Sequence, residues 1–147
     1  MGVELKQDSQ AAWPRGTPDR TISLQGGLEA PAAARRVVGD WIGETLSTSS
    51  RDDALMLVSE LVSNAVRHGG AGPIERIEVH FAVDSGGATF EVCDVGPGFM
   101  PPVSPVACPE GGGFGLVLIE SMSRSWGAHL HAGAGTCVWF DLDSSPG

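Results

Sequence analysis

The chain is short of charge, and shortest of positive charge. Lys and Arg number 9 against 18 Asp and Glu in 147 residues, a formal net charge of −9, and charged residues make up 18%. Soluble domains usually carry roughly 25%. A surface this acidic argues against nucleic-acid binding, which needs a basic patch for the phosphate backbone, and favours a protein partner. No apolar run approaches the roughly 18 residues of a membrane span. The first twenty residues contain no apolar core of the signal-peptide kind. The three cysteines, Cys93, Cys108 and Cys137, are odd in number with no close pair, neither a disulfide framework nor a zinc pattern. Together these absences lead to the expectation of a reduced, cytoplasmic protein.

Glycine is what the chain has in plenty: 21 residues, about 14%, against an average usage of roughly 7%. Eleven of them lie between Gly69 and Gly115, so the excess is concentrated. With 41% hydrophobic residues there is material for one compact core. Residues 1–20 are polar, hold Pro14 and Pro18, and read as a flexible tail ahead of a single domain over 21–147. An edge strand is expected over Thr21–Leu24. A first helix should run from Pro31 to about Leu46, with Ala34, Val37, Val38, Trp41 and Ile42 at helical spacing. A second should start at Ser49 or Ser50 and stop at Gly69-Gly70, after His68.

After Pro73 the apolar period shortens to two, through Ile77, Val79, Phe81 and Val83 and again through Ala88, Phe90 and Val92, with a turn at Ser85-Gly86-Gly87. That is a hairpin. Five of the ten prolines fall within 97–109, which predicts a long loop. A third helix then reaches about Ser125, and two strands are expected near 127–132 and 136–142. The sum is a two-layer α/β (α+β) sandwich, with a mixed, mostly antiparallel sheet and helices on one face.

Three segments could carry chemistry. On the second helix, Glu60, Asn64 and His68 follow at i, i+4 and i+8, roughly 6 Å apart along one ridge. An amide oxygen there can ligate a hard cation such as Mg²⁺, and a carboxylate one turn earlier can take a proton from an attacking hydroxyl. The same ridge also fits a solvated helix face. Asp94-Val95-Gly96-Pro97-Gly98 puts an acceptor-only carboxylate at a strand end, suited to an amino-bearing edge such as adenine's, with glycines that admit a flat ligand. An ordinary Asp-Gly turn has the same appearance. Gly111 to Leu116 is a glycine-rich entry to a helix, a natural phosphate site, without the Lys-Ser/Thr of a Walker loop.

In order and spacing these segments resemble the histidine-kinase-like ATPases, the GHKL superfamily with the Bergerat ATP-binding fold. Glu60 to Gly69 is similar to the N box, Asp94 to Phe99 to the G1 box, Gly113-Phe114-Gly115-Leu116 to the G2 box, and Gly135-Thr136 to the closing Gly-Thr element. The Glu-x-x-x-Asn-Ala-x-x-His pattern, the short length and a turn at Trp126-Gly127 resemble one branch, the anti-sigma-factor serine kinases. The resemblance implies ATP and Mg²⁺ as cofactors, with Asn64 as metal ligand, Asp94 as adenine reader and Thr136 supporting it. It further implies that Gly96 and Gly98 shape the adenine pocket. Gly113, Gly115 and Leu116 would present N–H groups to the phosphates, with Phe114 in the same binding turn, and Arg67 would lie nearby as a cation.

Glu60 would be the general base toward a Ser or Thr hydroxyl of an antagonist protein. Partners would be a sigma factor, its antagonist, or a second copy of the chain, without nucleic acid or membrane. One departure bears on catalysis. Residues 99–112 hold no Lys or Arg, although phosphoryl transfer needs charge on the moving group stabilised. An ATP-dependent binding module without phosphotransfer is therefore the alternative. His129 and His131 share a strand face as metal ligands can, but the sequence offers no evident third ligand.

Overall fold

The computed structural model describes residues 7–8, 19–43, 45–68, 76–84, 86–94, 114–131 and 135–143. In chain order the elements are β1 (Gln7–Asp8), β2 (Arg20–Gln25), α1 (Ala30–Ile42), α2 (Thr48–His68), β3 (Arg76–Asp84), β4 (Gly87–Asp94), α3 (Phe114–Met122), β5 (Ser125–His131) and β6 (Gly135–Asp143). Five antiparallel strands lie in the order β5-β6-β4-β3-β2, and β1 adds in parallel to the free side of β5. This is the expected mixed, mostly antiparallel sheet of an α+β sandwich.

Alternation along the strands sends Ile77, Val79, Phe81, Phe90, Val92, Trp126, Phe140 and Leu142 into one core with Ala34, Val38 and Ile42 of α1 and Leu57, Val58, Leu61 and Val62 of α2. An aromatic row crosses its middle. Phe81, Phe90 and Phe140 are successive register partners on β3, β4 and β6, with ring centroids 5.0 Å apart at each step. Trp126 is the next partner on β5, and Trp41 of α1 stacks on Phe81 at 6.1 Å. Each such pair adds about 0.5–1.5 kcal/mol beyond its area burial, so the row fixes both register and helix placement.

Several boundaries differ from the sequence reading. The first helix stops at Ile42, four residues early, because Gly43 adopts φ +52° and its N–H closes on the Gly39 carbonyl at 3.1 Å. Leu46 stays in the core from outside the helix. The second helix begins at Thr48, where the Ser47 hydroxyl oxygen accepts from the Ser50 N–H at 3.2 Å, a side-chain N-cap. The third ends at Met122 instead of Ser125, with the Ser123 hydroxyl turned back to the Ile119 carbonyl. Consequently Trp126 and Gly127 lie in β5 and do not form a turn. Trp126 is fully buried and its indole N–H donates to Glu120 at 2.8 Å. Within the expected tail, Gln7–Asp8 pair with β5, and Arg20 already belongs to β2.

The largest correction concerns cysteine. Cys93 on β4 and Cys137 on β6 are direct register partners, with Cα atoms 4.0 Å apart, and form a disulfide. A separation of 44 residues conceals a contact that the antiparallel register creates.

The β3–β4 turn and the end of β6 are tied together at one end of the strands. Arg124 donates to Asp141 through Nε at 3.1 Å and Nη2 at 2.6 Å, to the Gly86 carbonyl at 3.0 Å, and to Asp143. Thr89, fully buried, donates to the other Asp141 oxygen at 3.0 Å. Gly87 leaves no room at the centre, since a Cβ there would stand 2.3 Å from the Leu142 carbonyl oxygen.

Candidate functional site

The opposite end of the same two strands carries the polar residues expected to meet a ligand. Asp94 is the last residue of β4 and only 6% exposed. The antiparallel register that pairs Cys93 with Cys137 brings the following residue, Asp94, level with the preceding one, Thr136, which is 3% exposed. Both lie on the face that the helices cover, in phase with Phe90, Val92 and Val138. An acceptor-only carboxylate and a hydroxyl are thus held side by side at the rim of the core. A buried carboxylate needs polar partners, and a base edge bearing an amino group supplies a donor of the right kind.

The second group stands on α2. Its buried side, Ala54, Leu57, Val58, Leu61, Val62 and Ala65, packs on the sheet and leaves Glu60 and Asn64, one turn apart, half-buried on its flank. Arg67 is exposed and reaches back along the helix. Its Nη1 donates to the Ser63 hydroxyl at 3.0 Å and its Nη2 to Asn64 Oδ1 at 3.1 Å. The amide oxygen expected to meet Mg²⁺ therefore already accepts from a cation. As a hard oxygen donor with a second lone pair, and with its guanidinium partner exposed and able to turn outward, Asn64 fits a magnesium ligand.

The third group is the start of α3. The helix begins at Phe114, so Gly115 and Leu116 fall in its first turn, where backbone N–H groups lack intrahelical acceptors. Gly96, Gly98, Gly113, the proline-rich segment 97–109 and the cation-free segment 99–112 lie outside the described residues, as does the His68 side chain. The structure thus pairs Asp94 with Thr136 and groups Glu60, Asn64 and Arg67 on one helix. It leaves the glycine boxes to the sequence alone.

A cleft of about 260 Å³ opens at the far end, lined by Ser50, Asp53, Met122, Arg124 and Asp143 among others. Burial, with help from neighbouring Asp52, pushes the Asp53 carboxyl above its ordinary value. The hydrogen bond to Asp141 raises Arg124 further, against its own partial burial. The sequence does not mark Arg124 as a network residue, because its acceptors come from β6 and the β3–β4 turn. The cleft belongs to the stapled end of the sheet and holds none of the nucleotide-box residues.

No helix among the described residues is long and apolar enough to cross a membrane. The family model described as the histidine kinase-like ATPase domain matches residues 25–142, a span that takes in Glu60, Asn64, Arg67, Asp94 and Thr136. The comparison with curated proteins finds no match.

Proposed function

The chain belongs to the histidine kinase-like ATPase domain family, and from that premise we propose that this ATP-binding regulatory protein is an anti-sigma-factor-type serine/threonine protein kinase. It acts in the cytoplasm, binds a sigma factor or that factor's antagonist, and phosphorylates the antagonist to switch between them. The observation that carries the reading is the ridge of α2, where Glu60 and Asn64 stand half-buried one turn apart with Arg67 hydrogen-bonded to the Asn64 oxygen.

Asp94, supported by Thr136, accepts from the exocyclic amine of adenine and so selects the base. Gly96 and Gly98 admit the ring, and the N–H groups of Gly113, Gly115 and Leu116, with Phe114 in the same turn, receive the phosphates. Mg²⁺, held by Asn64, would neutralise charge on the phosphates. Glu60, one turn of helix from Asn64, accepts the proton of the incoming Ser or Thr hydroxyl as its oxygen attacks the γ-phosphorus of ATP, and the bond from that phosphorus to the β-phosphate oxygen breaks to release ADP. Arg67, released from Asn64, supplies the positive charge that residues 99–112 do not contain.

Calorimetry with Mg²⁺-ATP, followed by capture of partners with and without ATP and mapping of phosphorylated residues, tests this. Glu60→Ala should lower phosphotransfer about 10²–10⁴-fold, the usual worth of a general base, and leave ATP affinity within about twofold. Undiminished phosphorylation by that variant removes Glu60 from the reaction. A second reading, an ATP-dependent binding module without phosphotransfer, draws on residues 99–112, which hold no Lys or Arg to stabilise charge on the moving group. Nucleotide-dependent capture by the wild-type chain with no phosphoprotein formed would select it.

A further inference from the structure

The richest set of ligating side chains outside the nucleotide end stands on the sheet face turned away from the helices. Strand alternation puts His80 of β3, Glu91 and Cys93 of β4, Cys137 of β6 and His129 of β5 on that face, out of phase with the core residues Val79, Phe81, Phe90 and Val92. Register makes them neighbours: His80 pairs with Glu91, Cys93 with Cys137, and Cys137 with His129.

The ligand atoms of Glu91, His129 and Cys137 lie within 4.8 Å of one another, as do those of His80, Glu91 and Cys93. His129 Nε2 and Glu91 Oε2 are 3.0 Å apart. The site is also enclosed, with Cys137 0% and Cys93 and Glu91 each 6% exposed. A carboxylate taken out of water this far costs several kcal/mol unless a cation or strong donors meet it.

We propose that these residues form a redox-gated zinc site. In the dithiol form, Zn²⁺ is bound tetrahedrally by the Cys93 and Cys137 thiolates, His129 Nε2 and a Glu91 oxygen. In the disulfide form the two sulfurs are consumed and the metal has no site. The donor set selects the ion: two sulfurs, an imidazole and one carboxylate oxygen match Zn²⁺, whereas Mg²⁺ and Ca²⁺ require oxygen throughout. His80, hydrogen-bonded to Thr21 at 3.0 Å, flanks Glu91 from β3 as an outer neighbour.

The exchange balances. A dithiol reductant gives two electrons and two protons to the Cys93–Cys137 bond and leaves as its own disulfide. Zinc then displaces the two thiol protons. Oxidation of the bound thiolates by a disulfide or a peroxide removes two electrons, re-forms the bond and releases Zn²⁺. The third ligand that the His129–His131 pattern lacks in sequence comes from β4 and β6, strands adjacent only in the folded sheet.

The test uses the full chain, reduced with a phosphine that is then removed. Zn²⁺ is titrated in competition with a chromogenic chelator, and Co²⁺ is titrated separately to reveal thiolate coordination. We expect one equivalent per chain, near-ultraviolet thiolate-to-cobalt charge transfer with the visible bands of a tetrahedral ion, and less than a tenth of an equivalent after oxidation to the disulfide. Cys93→Ser, Cys137→Ser and His129→Ala should each weaken Zn²⁺ binding at least tenfold, while Cys108→Ser and His131→Ala leave it within twofold.

The proposal is overturned if the reduced wild-type chain binds no zinc, if its cobalt form lacks charge transfer, or if binding survives both Cys137→Ser and His129→Ala. Variants that lose their native circular dichroism are set aside, and the wild-type spectra then decide. The readout involves neither ATP nor phosphotransfer, so it stands or falls apart from the kinase reading.

Discussion

Strands β4 and β6 run side by side from one end of the molecule to the other, and their two ends are built on opposite plans. At the Gly87–Asp143 end a network within the chain joins the polar groups: Arg124 spans Asp141, Asp143 and the Gly86 carbonyl, and Thr89 takes the remaining Asp141 oxygen. The backbones come so close there that position 87 has no space for a Cβ. At the Asp94–Thr136 end a carboxylate and a hydroxyl are buried at the rim of the core, next to the segments that the glycine boxes occupy in sequence. One end is closed by its own ions, and the other is the end that the proposed function assigns to the adenine base. A ladder fastened at one end can hold residues at the other in fixed register without help from the loops around them.

The contrast is sharpest in what removal of a side chain should do. Asp94→Ala is expected to have the largest effect, and on binding. Loss of a charged acceptor's hydrogen bond costs about 1.5–3 kcal/mol, which converts to roughly 10–150-fold weaker ATP binding by calorimetry at about 1.4 kcal/mol per tenfold. Undiminished affinity would detach Asp94 from the base and break the functional half of the comparison.

Much of this plan is legible in the sequence. The apolar stripe of α2, the shift to period two at Ile77 and the glycine stops place α2, β3 and β4 from sequence, because each signal is local. Asp94 stood out for the same reason, a carboxylate closing an alternating strand ahead of glycines. The unread features share a different cause. Cys93 meets Cys137 between the neighbouring strands β4 and β6, Glu91 meets His129 across the intervening β6, and Arg124, just ahead of β5, meets Asp141 of β6. Their spacings of 44, 38 and 17 residues carry no periodic signal. The helix ends differ for a simpler reason. Gly43 and Ser123 terminate helices whose apolar pattern continues past them into Leu46 and Trp126, both of them core residues.

Gly87→Ala comes next in size, and its effect should be confined to stability. The new methyl would overlap a backbone oxygen at 2.3 Å and an Arg124 nitrogen at 2.9 Å, and overpacking of that kind costs about 1–3 kcal/mol. For a chain of this length that is a fall in Tm of roughly 3–10 °C, measured by calorimetric melting, with ATP affinity at the other end within about twofold. A large loss of ATP binding instead would show that the two ends are mechanically one, and that the fastening governs the site.

Asp53→Asn should have the smallest effect and probes how far the fastened end extends. Asp53 faces the cleft beside Arg124 and Asp143, and its carboxyl is raised above 3.8 by burial first and by Asp52 second. A raised folded-state value means that the native chain keeps this proton over a pH range in which the unfolded chain has lost it. Stability therefore falls as pH rises through the window just above 3.8, and the deficit persists at neutral pH. Asp53 is the sixth residue of α2, beyond the first turn where a helix dipole favours a negative charge, so burial decides the sign. The side chain is only half-buried, and solvent screening limits the gain from Asn to a few tenths of a kcal/mol. Melting at pH 7 should give a Tm about 1 °C above wild type, and the difference should disappear below pH 3.8, where wild-type Asp53 is neutral in both states. A lower Tm for Asn at pH 7 would mean that Arg124 already draws the Asp53 carboxylate into its network across the cleft, and that the fastened end includes the start of α2 as well as the strands.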